Sequence, residues 1–340
     1  MFKSKKVLKI MAWILCAFFV IIMISLTVII IKPSADLKKD LENLELQHYA
    51  DAQTSGDKIH FLSTGSSDAI LLESDGRFAM IDAGEDTDNP RGFEELEFDG
   101  YEEKVLEYLR KNAVNENGKV HLDFVLGTHS HSDHIGGFDT IISQDDVEID
   151  RAYLKVYDSS KIRKKEVEQW DNQEVYDQMV NALTAKSIPI ISDNDGTPFE
   201  FGNFTITLFN TDDPEPKRKV GENDQSYGIL VEKNGTRVFL SGDMDNLTGD
   251  ESRLADKIGK VDLLKVGHHS YVFSSTRKFI KTLSPTNCVV TNEYKNTHKP
   301  TLAYIKYLCN PKAFFLTGDE DGIIADIGDN GEINYYNHIH

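Results

Sequence analysis

Ten residues constrain this chain more than any others: Thr128-His129-Ser130-His131-Ser132-Asp133-His134-Ile135-Gly136-Gly137. They follow Leu122-Asp123-Phe124-Val125-Leu126, a short apolar run that reads as a buried strand. Imidazole suits zinc, manganese or iron, and a neighbouring carboxylate can bind or bridge a second cation. His129 and His131 are two apart, so in extended chain they point the same way. Asp133 and His134 fall where the chain turns towards a helix, and they can serve a second position nearby. The pattern therefore predicts a metal site at the carboxyl end of a strand.

The flanking sequence supplies more strand ends of the same kind. Ile59–Leu62, Ala69–Glu73 and Arg77–Asp82 read as three consecutive strands, the third closing on Asp82-Ala83-Gly84. Residues 85–103 form an acidic insertion before a helix near Tyr101–Lys111, placed to wall a site and to meet a cationic group on a substrate. A strand is expected at Ile149–Val156. A helix follows over about Ile162–Lys186, with Trp170, Tyr176 and Met179 at core spacing. Phe199–Phe209 alternates around Gly202-Asn203 as a hairpin. After an exposed loop at Thr211–Val220, Tyr227–Glu232 and Thr236–Leu240 form another. The latter strand ends in Ser241-Gly242-Asp243, a carboxylate able to span two metals, and Val261–Val266 ends in Gly267-His268-His269. Strand–helix units around Cys288–Thr291, Lys312–Leu316 and Gly322–Ile327 complete one domain, with His298 in a connecting loop as a supporting candidate.

The amino terminus differs from the rest. Lys3, Lys5, Lys6 and Lys9 precede an uncharged apolar run from Ile10 to Ile31. About 20 apolar residues span a bilayer. No small-residue cleavage site follows, so residues 1–32 read as a signal-anchor rather than a removed leader. Lysines before the span place the amino terminus inside and everything after Pro33 outside, as a single-pass cell-membrane protein. Residues 33–56 read as a short polar helix and linker, and 57–340 as one catalytic domain. Five of the 37 basic residues lie in the first 32 positions, leaving 32 basic against 56 acidic side chains. Such a surface repels nucleic acid, which argues against it as a partner. With one of three cysteines in the span, the chain is no disulfide scaffold.

The His-x-His-x-Asp-His motif resembles the signature of the metallo-β-lactamase superfamily, which implies a four-layer αββα sandwich. Asp243 and the His268-His269 pair bring the resemblance nearest to the phosphorylcholine esterases of the choline-binding protein class and to the hydrolase domain of competence proteins. The esterase resemblance covers roughly residues 57–335, including Tyr153–Tyr157, Trp170-Asp171-Asn172 and Gly259–Lys265. It implies two divalent cations, zinc first with manganese or iron as alternatives. His129 and His131 would hold one, and Asp133, His134 and His269 the other, with Asp243 bridging. Asp82 would support the metal loop and His268 would contact a substrate phosphate. A further superfamily histidine has no match, because no histidine lies between His134 and His268; Asn223 and Ser226 stand nearest its place. The implied chemistry is attack of a metal-bridging hydroxide on phosphorus. The expected function is an extracellular, membrane-anchored phosphodiesterase acting on phosphorylcholine-bearing polymers or other envelope phosphodiesters. A competence-type extracellular nuclease is the alternative.

Overall fold

Two sheets whose parallel strands end at one edge are the frame on which the motif loops hang. The computed structural model describes residues 2–211 and 219–340, with side chains from Met11 onward, so most of the Thr211–Val220 loop lies outside the described residues. Among the described residues the first sheet has nine strands, ordered Gln47–His48, Ile333–Asn337, Ile323–Ile327, Lys58–Phe61, Ala69–Ser74, Arg77–Ala83, Phe124–Leu126, Ala152–Tyr153, Ile190–Ile191. The second has seven: Phe199–Phe201, Phe204–Phe209, Gly228–Lys233, Thr236–Leu240, Leu263–Lys265, Asn287–Val290, Ala313–Leu316. Arg77–Ala83 runs parallel to Phe124–Leu126, and the last four strands of the second sheet run parallel to one another. Ligands of open parallel sheets gather at such carboxyl ends.

The layers follow from which faces are apolar. Ile59, Phe61, Ile70, Phe124 and Leu126 of one sheet interlock with Phe204, Ile206, Val231 and Leu240 of the other. Outside the first sheet, helices Glu102–Asn112, Phe138–Ser143 and Asn172–Ala185 bury Val105, Leu109, Phe138 and Met179. Outside the second, helices Asp250–Ile258, Arg277–Leu283 and Lys299–Cys309 bury Leu254, Phe279, Leu302 and Ile305. The arrangement is the expected four-layer αββα sandwich.

Several expected elements differ in detail. The run Leu122–Leu126 divides at Asp123: Val120–Leu122 pairs with Val147–Ile149 in a small separate sheet, and only Phe124–Leu126 joins the main one. Likewise Ile149–Val156 contributes only the short strands Val147–Ile149 and Ala152–Tyr153. The single helix expected over 162–186 is two, Lys164–Gln169 and Asn172–Ala185, because Trp170 takes an extended conformation. Gly322–Ile327 leads into no helix. It turns through Asp329-Asn330-Gly331 and pairs antiparallel with Ile333–Asn337, returning the chain to the first sheet. Cys288 and Cys309 are free thiols.

Residues 33–56 are more than a linker. Helix Lys32–Glu42 continues the helix Phe2–Leu26 through a π-turn at Thr27–Ile31, which accommodates Pro33 without a break. Leu37 is fully buried beside Leu302 and Ile305, and Asp40 pairs with Lys306 at 2.7 Å. Gln47–His48 adds a parallel strand beside Tyr336–Asn337. Ahead of this dock, Met11–Leu26 exposes apolar side chains on all sides, and the helix is long and apolar enough to cross a membrane.

Candidate metal centre

Asp82, at the end of its strand, holds the motif loop in place. Its carboxylate accepts the Thr128 amide at 2.7 Å and the Thr128 hydroxyl at 2.7 Å, and it faces His134 Nδ1 at 2.7 Å. That last contact turns the other ring nitrogen, Nε2, towards the cleft. The adjoining His129 Nε2 lies 3.0 Å from His131 Nδ1, so these two rings converge as the extended spacing predicts. His131 is steadied from behind, its Nε2 3.2 Å from Glu166.

A second set meets beside the first. Ligand atoms of Asp133, His134, Asp243 and His269 all lie within 4.8 Å of one another. His134 Nε2 is 3.2 Å from His269 Nε2 and 3.2 Å from Asp243 Oδ1, and His269 Nε2 is 3.4 Å from Asp133. Asp243 Oδ1 is buried amid these rings yet accepts no well-aligned hydrogen bond. A buried carboxylate oxygen without such a bond is costly unless a cation meets it. The residues present therefore fit divalent metal, with one set at His129 and His131 and another at Asp133, His134 and His269. Asp243 stands against the second set, its Oδ1 3.2 Å from His134 Nε2 and 3.3 Å from His269 Nε2.

Ser226 and Asn223 serve as positioning residues. Ser226 Oγ accepts the Asp243 amide at 3.2 Å, and Asn223 Nδ2 lies 3.2 Å from His268 Nε2. His298 takes no part: it precedes helix Lys299–Cys309, and its Nδ1 meets the Thr301 hydroxyl at 2.8 Å, one turn into that helix. Trp170, expected in the core, is 42% exposed and stacks on His131 with centroids 5.9 Å apart. The break between the two helices is what brings it there.

Four supports are visible only in three dimensions. His269 Nδ1 meets Thr291 Oγ1 at 3.0 Å, Thr291 donates to Asp68 at 2.6 Å, and Asp68 pairs with the fully buried Lys265. Lys265 also donates to the Gly242 carbonyl at 3.0 Å, tying the Asp243 loop to the His269 loop. Glu166 is the fourth. Lys265 left one trace in sequence, a lone charge within the apolar run Leu263–Val266, which calls for a buried partner.

Electrostatics divide the two neighbouring histidines. Burial disfavours charge on His269, but Asp243 and Asp68 outweigh it and raise its pKa to about 9. Burial dominates at His268 and lowers it despite Asp243. Asp243 is held well below the ordinary carboxylate range: burial pushes it up, and His269, His134 and His268 overcome that.

The mouth of the site is a cleft of about 350 Å³ walled by Phe98, Tyr101, Trp170 and Tyr271, with Glu85, Asp99 and Asp133 among them. The acidic insertion thus does form a wall.

A family model described as the β-lactamase superfamily domain matches residues 80–271, which contain both ligand sets. The chain belongs to the metallo-β-lactamase superfamily. Competence protein ComA of Neisseria gonorrhoeae is 25% identical over 194 residues, covering 56% of this chain and 23% of that protein. ComE operon protein 3 of Bacillus subtilis (strain 168) is 23% identical over 210 residues, covering 60% of this chain and 24% of the other. The chain thus matches about a quarter of the length of these curated relatives. The solved metallo-β-lactamase fold protein YhfI of Bacillus subtilis has a TM-score of 0.46 at 15% identity, covering 76% of this chain and 95% of that one.

Proposed function

We propose that this chain is a metal-dependent phosphodiesterase of the cell surface, acting on phosphodiesters that carry a cationic headgroup of the phosphorylcholine kind. The observation that carries the reading is the cleft itself, whose aromatic faces and acidic side chains share a wall with Asp133 of the ligand cluster, while Trp170 of the same wall stacks on His131. Quaternary ammonium groups are recognised by aromatic faces, and the Asp99 carboxylate adds attraction, whereas burial and the neighbouring Asp133 lift Glu85 to a pKa of about 9 and keep it uncharged at neutral pH. Divalent cations at these residues would polarise phosphoryl oxygens and lower the pKa of water.

The chain's own residues do the rest. Asp243, on a loop held by the hydrogen bond its backbone amide donates to Ser226 Oγ, aligns the attacking water. His268, at the mouth and 3.7 Å from Asp243 Oδ2, donates to a phosphoryl oxygen as its charge grows. Trp170 and Tyr271 hold the cationic group. The lysines before the apolar run support placement of the domain outside the cell.

A nuclease is the second reading, favoured by the matches to competence proteins. The acidic composition weighs against it. Metal-loaded full-length protein should be offered p-nitrophenyl phosphorylcholine, bis-p-nitrophenyl phosphate, DNA and nitrocefin. Preference for the phosphorylcholine ester supports the reading; preference for DNA replaces it with the nuclease, and turnover of nitrocefin alone overturns both.

A further inference from the structure

The direction of the anchor relative to the site has a consequence for where the substrate lies. Asp40 pairs with Lys306 in the last turn of helix Lys299–Cys309. The π-turn Thr27–Ile31, nine or more residues earlier in the same continuous helix, also packs against helix Lys299–Cys309. At about 1.5 Å per residue, an antiparallel arrangement would carry that turn past the end of its neighbour. The two helices therefore run side by side in the same direction. Helix Lys299–Cys309 begins at the carboxyl edge of the parallel strands, just after Asn292, whose side chain donates to the His269 carbonyl at 3.3 Å. It also packs against the His268-His269 turn. The apolar helix thus leaves the domain from the edge that carries the site.

The same edge carries apolar groups with nothing over them. Tyr271, Val272 and Phe273 follow the histidine pair after Ser270, and Phe273 is 65% exposed. Phe273 is held at φ 75°, a conformation costly for a bulky residue. The loop beneath is pinned, since Glu251 accepts the Ser275 and Thr276 amides at 2.5 and 2.8 Å. An aromatic tip fixed outward on a rigid base suits an apolar partner, not water. Phe98, across the mouth, is 45% exposed. Near the start of helix Lys299–Cys309, the Lys299 ammonium lies 5.1 Å from the Tyr294 ring centre, and Lys32 follows the span. Aromatic rings with lysines are the side chains that settle at a membrane–water interface.

We infer that the site opens towards the bilayer that holds the anchor, and that the Tyr271–Phe273 tip docks into its headgroup layer. The partner is a lipid surface. Resting on the phosphodiesterase reading, the substrate class narrows to phosphodiesters presented at that surface, such as headgroups of amphiphiles or polymers tethered there.

Full-length protein in nanodiscs of equimolar phosphatidylcholine and phosphatidylglycerol tests this. In a Trp13→Phe background, Phe273→Trp is compared with Asn234→Trp, whose turn lies at the opposite end of the strand that leads to Asp243. Lipids brominated in the acyl chain near the headgroup should quench at least about half of the added emission at 273 and leave that at 234 unchanged. Equal, absent quenching at both positions overturns the inference, whatever the enzyme hydrolyses. In a second arm, Phe273→Ser should lower hydrolysis of bilayer phosphorylcholine lipid about tenfold and leave soluble p-nitrophenyl phosphorylcholine unaffected. Equal loss on both substrates also overturns the docking role. Inactivity of the parent protein on both counts against the phosphodiesterase reading, and the quenching then decides the docking.

Discussion

His268 and His269 are adjacent, both held at left-handed backbone angles (φ 50° and 46°), and their rings part company. His269 goes inward to the ligand cluster and is braced by Thr291 and Asp68, whereas His268 stays at the mouth against Asn223. His269→Ala should lose metal from its set. His268→Ala should keep metal and lower kcat by about 10² or more, since a contact that strengthens in the transition state affects turnover first. Metal analysis beside kinetics of the two variants decides, and metal loss in His268→Ala would reverse the assignment. Nearby, Asp86 is buried with an unpartnered Oδ2, and burial followed by Asp88, Asp139, Asp171 and Glu102 lifts its pKa to about 8. Unfolded, that carboxyl titrates near 4, so the folded protein keeps a proton that the unfolded chain releases. The contribution to stability is full below about pH 4 and is lost as pH rises to about 8. Asp86→Asn should flatten this window and stabilise the protein at pH 9 by roughly a few kcal/mol, read by denaturant titration at several pH values. Identical pH slopes in both proteins would contradict it. The side chains that cluster at the candidate centre were legible because they sit in short motifs at strand ends. Asp68, Thr291 and Glu166 were not, since their meaning comes from partners far along the chain.

At the scale of elements, the alternation of apolar runs and turns located most strands, and the site loops fell at their carboxyl ends as expected. Reading failed where a contact from elsewhere overrode local pattern. Trp170 leaves helical geometry to stack on His131, and Asp123 divides a run that composition alone makes continuous. The polar look of residues 33–56 hid a docking helix, because Pro33, Leu37 and Leu41 turn to the domain while lysines and acids cover the other side. Leu37→Ala should therefore destabilise the domain by about 2–4 kcal/mol, as for other buried leucines. Chemical denaturation measures it, and a change within about 0.5 kcal/mol, as for a surface site, would mean the helix is only a tether.

For the whole molecule, one apolar helix and one sandwich are joined without a flexible break, so the direction of that helix fixes where the site lies relative to it. With the lysines inside, protease added to intact cells should remove the domain and spare the amino terminus. Digestion only after lysis would place the domain in the cytoplasm and remove the cell envelope as its substrate source. The four-layer architecture was legible from the motif resemblance together with strand spacing. Which edge the apolar helix leaves from was not, because it depends on the parallel packing of two helices far apart in sequence. The account as a whole rests on the cluster of Asp133, His134, Asp243 and His269 beside the converging rings of His129 and His131. Elemental analysis of gently purified full-length protein measures this directly. About two equivalents of zinc, manganese or iron per chain are expected from the binuclear arrangement. A value near zero, with no hydrolysis restored by added metal, would contradict it.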